Sequence, residues 1–296
     1  MMPVEYIPAK TIVTRTKSEE WFGAGYNMNI YRGCNHGCIY CDSRSACYRI
    51  PDFDRVRVKA DALDIIRAGL ERRRRKGVIA TGAMSDPYNP LERELELTRG
   101  ALALVGRYRF GLAVATKSDL VVRDLDLLRA IREHAPVIAK ITVTTHDDSL
   151  AERLEPNAPS SSRRFRALRA LADGGIFSGV LLMPVMPFVT DSPENLLGVV
   201  RAAAEHGARF VYPWLGMTLR EGQREHYYRE LARLSPELVP RYRKRFGDRY
   251  DCAIPGLQGC WRLLRAECDR LGLLYEMRDI VEAYQGGYGT SQLSLF

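Results

Sequence analysis

Arg32-Gly33-Cys34-Asn35-His36-Gly37-Cys38-Ile39-Tyr40-Cys41 sets three thiols at Cys-x3-Cys-x2-Cys spacing. Thiolates this close can wrap one face of an iron–sulfur cube and leave its fourth iron without a protein ligand. Such clusters ordinarily take four cysteines. Three therefore suggest an iron kept open for a small molecule, as a catalytic metal keeps an open position. Gly33 and Gly37 allow the loop to curl and its amides to approach the sulfides. Two other chemistries compete. A structural zinc ion would want a fourth ligand, and His36 is at hand, although it lies inside the tight loop, a poor place to complete a tetrahedron. A thioredoxin-like pair would need only two of the three cysteines.

The elements that must position this loop are readable from periodicity and punctuation. Strands are expected at Tyr26–Tyr31, Gly77–Thr81, Phe110–Ala115, Val137–Thr144, Phe177–Met183 and Arg209–Trp214. Amphipathic helices are expected between them, at Ala60–Arg75, Leu97–Gly106, Arg123–Glu133, Ser161–Ala172 and Ser192–Glu205, with further helices at Arg220–Arg233 and Leu257–Leu274. Asp191-Ser192-Pro193-Glu194 reads as a cap followed by proline in the first helical turn. Gly174-Gly175 closes the helix before it. Strands alternating with helices imply parallel βαβ units, either an open barrel-like sheet or a doubly wound one. In both, the working residues sit at the C-terminal ends of the strands.

With an aromatic, Tyr40, just before the third cysteine, the motif resembles that of the radical S-adenosylmethionine (SAM) superfamily. Within it, the stretch from about Tyr26 to Leu219 resembles the spore photoproduct lyase-like (DNA repair photolyase-like) family. The resemblance implies a partial (β/α)6 barrel with a [4Fe–4S] cluster on Cys34, Cys38 and Cys41. It also implies that the amino and carboxylate groups of SAM bind the open iron. One-electron reduction, from a donor such as flavodoxin or ferredoxin, then cleaves the sulfonium to methionine and a hydrogen-abstracting 5′-deoxyadenosyl radical.

Three more segments carry the resemblance. Ser85-Asp86-Pro87-Tyr88-Asn89-Pro90-Leu91-Glu92 matches the family's Ser-Asp-x-Tyr-x-Pro-x-Glu, where the serine and its neighbours hold the methionine amine. Ser85 and Asp86 are the candidates, against the plainer alternative of a helix-capping turn. Lys117, at the end of the third strand, can pair with the methionine carboxylate as a compact point charge. Thr142 is the hydroxyl expected to approach SAM from the fourth strand, which leads into Leu154-Glu155-Pro156-Asn157-Ala158-Pro159 and Arg163-Arg164.

The resemblance also breaks in two places. The family's hydrogen-returning thiol is expected two residues before the serine, which is Ala83 here. The family's second tyrosine, after the third cysteine, is replaced by Asp42. Repair of spore photoproduct itself is therefore not expected, while the radical-generating half is complete. Tyr40, the surviving member of the family's three hydrogen-transfer groups, and Cys47, as a substitute thiol, are the catalytic candidates. Cys252, Cys260 and Cys268 are spaced by eight, as auxiliary ligands or as small buried apolar residues.

The 296-residue chain carries a formal charge of +8, compatible with a polyanionic partner. Arg72–Lys76 reads as a solvated helix end. Arg241, Arg243, Lys244 and Arg245, interleaved with Tyr242, Phe246 and Tyr250, read equally as a nucleic-acid surface or as a helix with its aromatics turned inward. An odd cysteine count, seven, without a secretory signal argues against a disulfide framework. No run is apolar enough to span a membrane, and the expected location is the cytoplasm. Gln292-Leu293-Ser294-Leu295-Phe296 closely resembles the peptide by which bacterial repair and replication proteins bind the β sliding clamp. The expected organisation is an N-terminal extension (1–25), the barrel (26–225), a helical region (226–284) and a tail (285–296). The expected function is a radical SAM enzyme acting on damaged or modified DNA. The alternatives are RNA, protein or a small molecule as substrate, or a non-catalytic electron-transfer module.

Overall fold

A computed structural model describes residues 4–288. Six parallel strands lie side by side in chain order: β1 (Ala24–Met28), β2 (Val78–Thr81), β3 (Gly111–Thr116), β4 (Val137–Thr142), β5 (Phe177–Leu182) and β6 (Phe210–Pro213). All six expected strands are present, shifted by at most a few residues. The clamp-like peptide Gln292–Phe296 lies outside the described residues.

Sequence explains why these segments are strands. Every residue of β4 is buried and β3 is nearly so, the continuous apolar run of a parallel sheet covered on both faces. The helices follow their caps. Ser192 accepts from the Asn195 amide with Pro193 in the first turn. Ser160 accepts from Arg163 N, and that helix, Ser161–Asp173, stops at Gly174, with Gly175 at positive φ. The fold is thus α/β, a partly closed (β/α)-type barrel with helices outside and a helical C-terminal extension.

The terminal segments are built into the barrel. The strand Val13–Arg15 extends the sheet antiparallel to β1, and Glu5–Ile7 pairs with Arg57–Lys59. β1 and β6 share no hydrogen bonds. Their seam is filled by rings: Phe22 stands 5.4 Å from Tyr212 and 6.0 Å from Phe210, and Trp21 meets Tyr212 edge-on at 5.6 Å. From below, the helix Met277–Gln285 holds this plug, with Tyr284 Oη donating to the Phe22 carbonyl at 2.6 Å. Gln285, expected to open the flexible tail, is the last residue of that helix.

The helix Leu238–Phe246 buries Tyr242 and Phe246, so the basic–aromatic run keeps these two rings inward and leaves Tyr250 exposed. Arg73 and Lys76 are not simply solvated: Arg73 donates to the Val13 carbonyl, and the Lys76 ammonium lies 4.6 Å above the Phe110 ring. Cys260 and Cys268 belong to the main core, whereas Cys252 packs in a separate cluster with Tyr227 and Phe246. They act as small apolar residues, not as one ligand set. No described helix is long and apolar enough to cross a membrane.

Two glycines give opposed predictions. Gly82, just past β2, has φ +97°, and a Cβ there would stand 1.9 Å from the Ala115 carbonyl oxygen. Gly82→Ala should cost about 3 kcal/mol in urea denaturation, from overpacking and left-handed strain together. Gly259→Ala, in the helix Leu257–Leu271 with nothing within 4 Å, should stabilise by about 0.8 kcal/mol.

Candidate active site

The C-terminal ends of the strands surround a cavity of about 370 Å³. Cys34, Cys38 and Cys41 line it together with Ser85, Asp86, Lys117 and Thr142. The residues that sequence reasoning chose from four separate segments thus face one space.

The cysteine loop is held from behind by the segment after β4. Ile39 N donates to the Leu154 carbonyl at 3.0 Å, and Asn157 N to the His36 carbonyl at 3.0 Å. Asn157 Nδ2 reaches the Asn35 carbonyl at 2.9 Å. Gly37 has φ +73°, and a Cβ there would press on Pro156 and Asn157 at 3.0–3.2 Å. The loop curls at Gly37 because only glycine combines that angle with so close a neighbour.

Under the loop lies a buried polar knot. Tyr40 donates its phenol to Glu155, and Arg164 forms an ion pair with the same carboxylate. Glu155 and Arg164 are at most 1% exposed. Burial opposes the charge on Glu155, yet Arg164, Lys117 and the Tyr40 hydroxyl hold its pKa below the ordinary 4.5. Burial and the adjacent carboxylate push the Tyr40 phenol well above its ordinary value. Arg164 also donates to the carbonyls of Pro159, at 2.8 Å, and Thr142, at 3.1 Å. The knot therefore joins the cysteine loop, the end of β4 and the helix Ser161–Asp173. Sequence reasoning noted the Glu155 and Arg164 segments but gave those residues no part. The signal was two opposite charges flanking a proline turn after a buried strand.

A second set of bonds fixes the opposite wall. Ser85 Oγ donates to the Gly33 carbonyl at 2.5 Å, which leaves its lone pairs free to accept. Asp86 accepts from Thr116 Oγ1 at 2.6 Å, Lys117 N at 2.8 Å and Tyr88 N at 2.9 Å, and faces His36 Nδ1 at 3.4 Å. It is a clamp between the ends of β2 and β3. Glu92, buried, accepts from Tyr31, from Thr98 N at 2.9 Å and from Arg123 at 3.0 Å, and so bolts the base of the same loop. For Lys117, burial works against the charge, but the Cys38 sulfur and Glu155 overcome it and raise the pKa above its ordinary value. Its ammonium lies 5.5 Å from the Tyr40 ring centroid.

Cys47 departs from the expectation. The chain after Cys41 turns outward through two short 3-10 helices. Cys47 is exposed, outside the cavity lining, where Arg220 Nη1 donates to its sulfur at 3.4 Å. Asp42 does line the cavity and accepts from Tyr48 at 2.8 Å and Thr218 at 3.0 Å. Ala83 lines it as well, so the position expected for a hydrogen-returning thiol faces the chamber without one. Lining residues to which the sequence gave no role include Lys140 on β4 and the exposed indoles of Trp21 and Trp214.

The sequence profile of the Radical SAM superfamily matches residues 28–211, the cysteine loop and all but the ends of the barrel. The chain belongs to the radical SAM superfamily. An uncharacterized protein of Mycobacterium tuberculosis is 32% identical over 229 residues, 74% of this chain and 66% of that protein, so the chain spans just under two thirds of that relative's length. An uncharacterized protein of Methanocaldococcus jannaschii is 33% identical over 195 residues, 65% of this chain and 71% of that protein. Among solved structures, spore photoproduct lyase complexed with dinucleoside spore photoproduct superposes with a TM-score of 0.62 at 15% identity, covering 90% of this chain and 80% of that one. The radical SAM methyltransferase TsrM from Kitasatospora setae, with tryptophan and a SAM analogue bound, gives 0.56 at 15% identity, covering 89% and 56%. At such identities the likeness is one of fold.

Superfamily members carry a radical SAM catalytic domain that binds a [4Fe–4S] cluster and SAM, and the residues present fit that pair. The three thiols are free, line one cavity and face a hydroxyl, an ammonium and a threonine across it. Among the described residues, no three His, Cys, Asp or Glu side chains converge as the ligands of a lone metal ion do. Thiols that each hold a different iron of a cube need no such convergence. His36 turns its Nδ1 to Asp86, a poor start for a zinc ligand.

The buried knot gives the prediction for this site. Arg164→Met removes the ion-pair partner of the buried Glu155 carboxylate and should cost about 3–5 kcal/mol in urea denaturation. Adding Glu155→Gln should recover part of that loss, a non-additivity that a double-mutant cycle reads directly. Because folding lowers the Glu155 pKa, its contribution is present above the unfolded value and is lost as pH falls below about 4.5. Glu155→Gln should flatten that acid limb.

Proposed function

We propose that the chain reductively cleaves SAM at a [4Fe–4S] cluster on Cys34, Cys38 and Cys41 and directs the radical chemistry at a damaged or modified nucleotide of DNA. The observation that carries the first half is that the three thiols share one cavity with Ser85, Lys117 and Thr142. When bound, the cluster and SAM supply a 5′-deoxyadenosyl radical. The chain's own groups bind and orient. Ser85 offers lone pairs to the methionine amine, Lys117 its charge to the methionine carboxylate, and Thr142 its hydroxyl to the nucleoside. Asp86 and Tyr40 act as positioning residues, the one fixing Lys117 and His36, the other locking the loop to Glu155. Cys47 lies outside the chamber and has no part in this reading.

Four features support DNA as the target. The barrel resembles that of spore photoproduct lyase. The chain is basic, at +8. Exposed Trp21 and Trp214 stand at the cavity, where indoles can stack on splayed bases. The terminal Gln292–Phe296 resembles a sliding-clamp ligand, which would bring the enzyme to DNA without base readout. The proposed setting is the cytoplasm, with flavodoxin or ferredoxin as reductant. Ala83 and Asp42, where the lyase-like family has a thiol and a tyrosine, favour a substrate other than spore photoproduct itself.

The test is anaerobic reconstitution followed by dithionite and SAM, with 5′-deoxyadenosine quantified beside ultraviolet-irradiated or undamaged DNA. Production should rise with irradiated DNA and fall at least tenfold in Lys117→Met. Equal production with either DNA would remove the lesion reading and keep the enzyme class. Deleting residues 292–296 should abolish retention of the full chain on immobilised β clamp. Unchanged retention would remove the clamp as partner.

A further inference from the structure

One buried cation in the chamber has no part in the reading above. Lys140 lies on β4 two residues before Thr142, on the same inward face, so the two Cα atoms are separated by roughly 6.6 Å along the strand. Lys140 is 1% exposed and lines the cavity. Other sheltered lysines have partners: Lys59 Nζ donates to the Asn29 carbonyl at 2.7 Å, and Lys117 sits in the field of Cys38 and Glu155. Among the described residues Lys140 has no such acceptor. Its ammonium rests 4.4 Å from the centroid of the Phe22 ring, the plug of the barrel seam.

What faces it is apolar or neutral. Its register partners are Ala115 on β3 and Gly179 on β5. Phe22 comes from the N-terminal segment. The helix below brings Tyr284, whose phenol burial pushes up to about 12 and whose hydroxyl is given to the Phe22 carbonyl. The other ionisable groups of the chamber, His36, Tyr40, Asp42, Asp86, Lys117 and the thiols, lie at and beyond the C-terminal ends of the strands. None of them bears on Lys140, whose pKa burial alone lowers to about 7. An amine in this place costs far more than a leucine of similar size, unless a ligand supplies the missing charge.

We propose that Lys140 anchors an anionic oxygen group of the substrate, a phosphate or a carboxylate, on the inner wall of the barrel just below Thr142. The proposal rests on the reading of this cavity as the chamber shared by SAM and substrate. A nucleotide phosphate is the source expected if the substrate is nucleic acid. A free carboxylate is the source expected if it is a small molecule. Because the anion binds the protonated amine, affinity is greatest below the pKa of free Lys140 and falls as pH rises through it.

The experiment is calorimetric titration of sulfate, which does not titrate between pH 6 and 9, into the anaerobically reconstituted protein with SAM present. Affinity should fall by up to about tenfold per pH unit above pH 7. Lys140→Met should bind at least tenfold more weakly at pH 6, and Lys140→Arg should bind without that pH dependence. Competition by thymidylyl-thymidine assigns the anion to nucleic acid, and competition by acetate assigns it to a carboxylate substrate. Either supports the anchor. Absence of sulfate binding, pH-independent binding to the wild-type protein, wild-type affinity in Lys140→Met, or competition by neither probe overturns it. The wild-type titration stands even if the variants fail to fold. Substrate-free 5′-deoxyadenosine formation by the wild-type protein tests the chamber reading separately, so the two can fail independently.

Discussion

Glu155 carries its charge where water does not reach, and the candidate site is built around keeping it there. Arg164 and Tyr40 meet the carboxylate from the helix Ser161–Asp173 and from the cysteine loop. Lys117 contributes from the end of β3. A buried ion pair is a weak source of stability, because desolvation consumes most of its attraction. What it supplies here is registry. Three pieces of chain distant in sequence have one arrangement that leaves no charge unpaired, and in that arrangement Cys34, Cys38 and Cys41 face Ser85, Lys117 and Thr142. Asp86 repeats the device on the other wall, spending its carboxylate on two backbone amides, Thr116 and His36.

The chamber is polar at the strand ends and apolar at its floor. The cluster loop, the Ser85–Glu92 loop and the segment from Leu154 to Asn157 form the polar end. Phe22, Leu181 and Ile138, backed by Tyr284, belong to the apolar cluster at the floor, and Lys140 rises from it alone. The lateral seam between β1 and β6 is closed by side chains rather than by hydrogen bonds. Segments outside the six βα units, Trp21–Phe22 and the helix Met277–Gln285, thus become structural parts of the site.

How far the sequence was legible depended on whether a signal was local. The six strands and the helices between them were readable, because apolar periodicity and caps such as Ser192-Pro193 act within a few residues. The cysteine loop was readable for the same reason. The knot of Tyr40, Glu155 and Arg164 was not, because Tyr40 lies over a hundred positions from the other two, and Glu155 and Arg164 each read alone as an ordinary surface charge. Lys140 was hidden inside a strand whose other residues are apolar or threonine, where a single lysine looks like an edge. The helix Leu238–Phe246 was legible only as one of two readings of its basic–aromatic run, and the strand pair Gly216–Thr218 and Asp251–Ala253 was too short to show a period. Cys47 looked close to the cluster in sequence, but the chain turns outward after Cys41. Separation along a chain says little once the path bends.

The claim on which the account stands is that the three thiols leave one iron open for SAM inside this cavity. The direct measurement is electron–nuclear double resonance of the anaerobically reconstituted, dithionite-reduced protein with SAM carrying 15N in its amine and 17O in its carboxylate. The account predicts coupling of both nuclei to the reduced cluster, and loss of the signal in Cys34→Ala, Cys38→Ala and Cys41→Ala. A reduced cluster that shows no coupling to either nucleus, or one that survives all three substitutions, would contradict it.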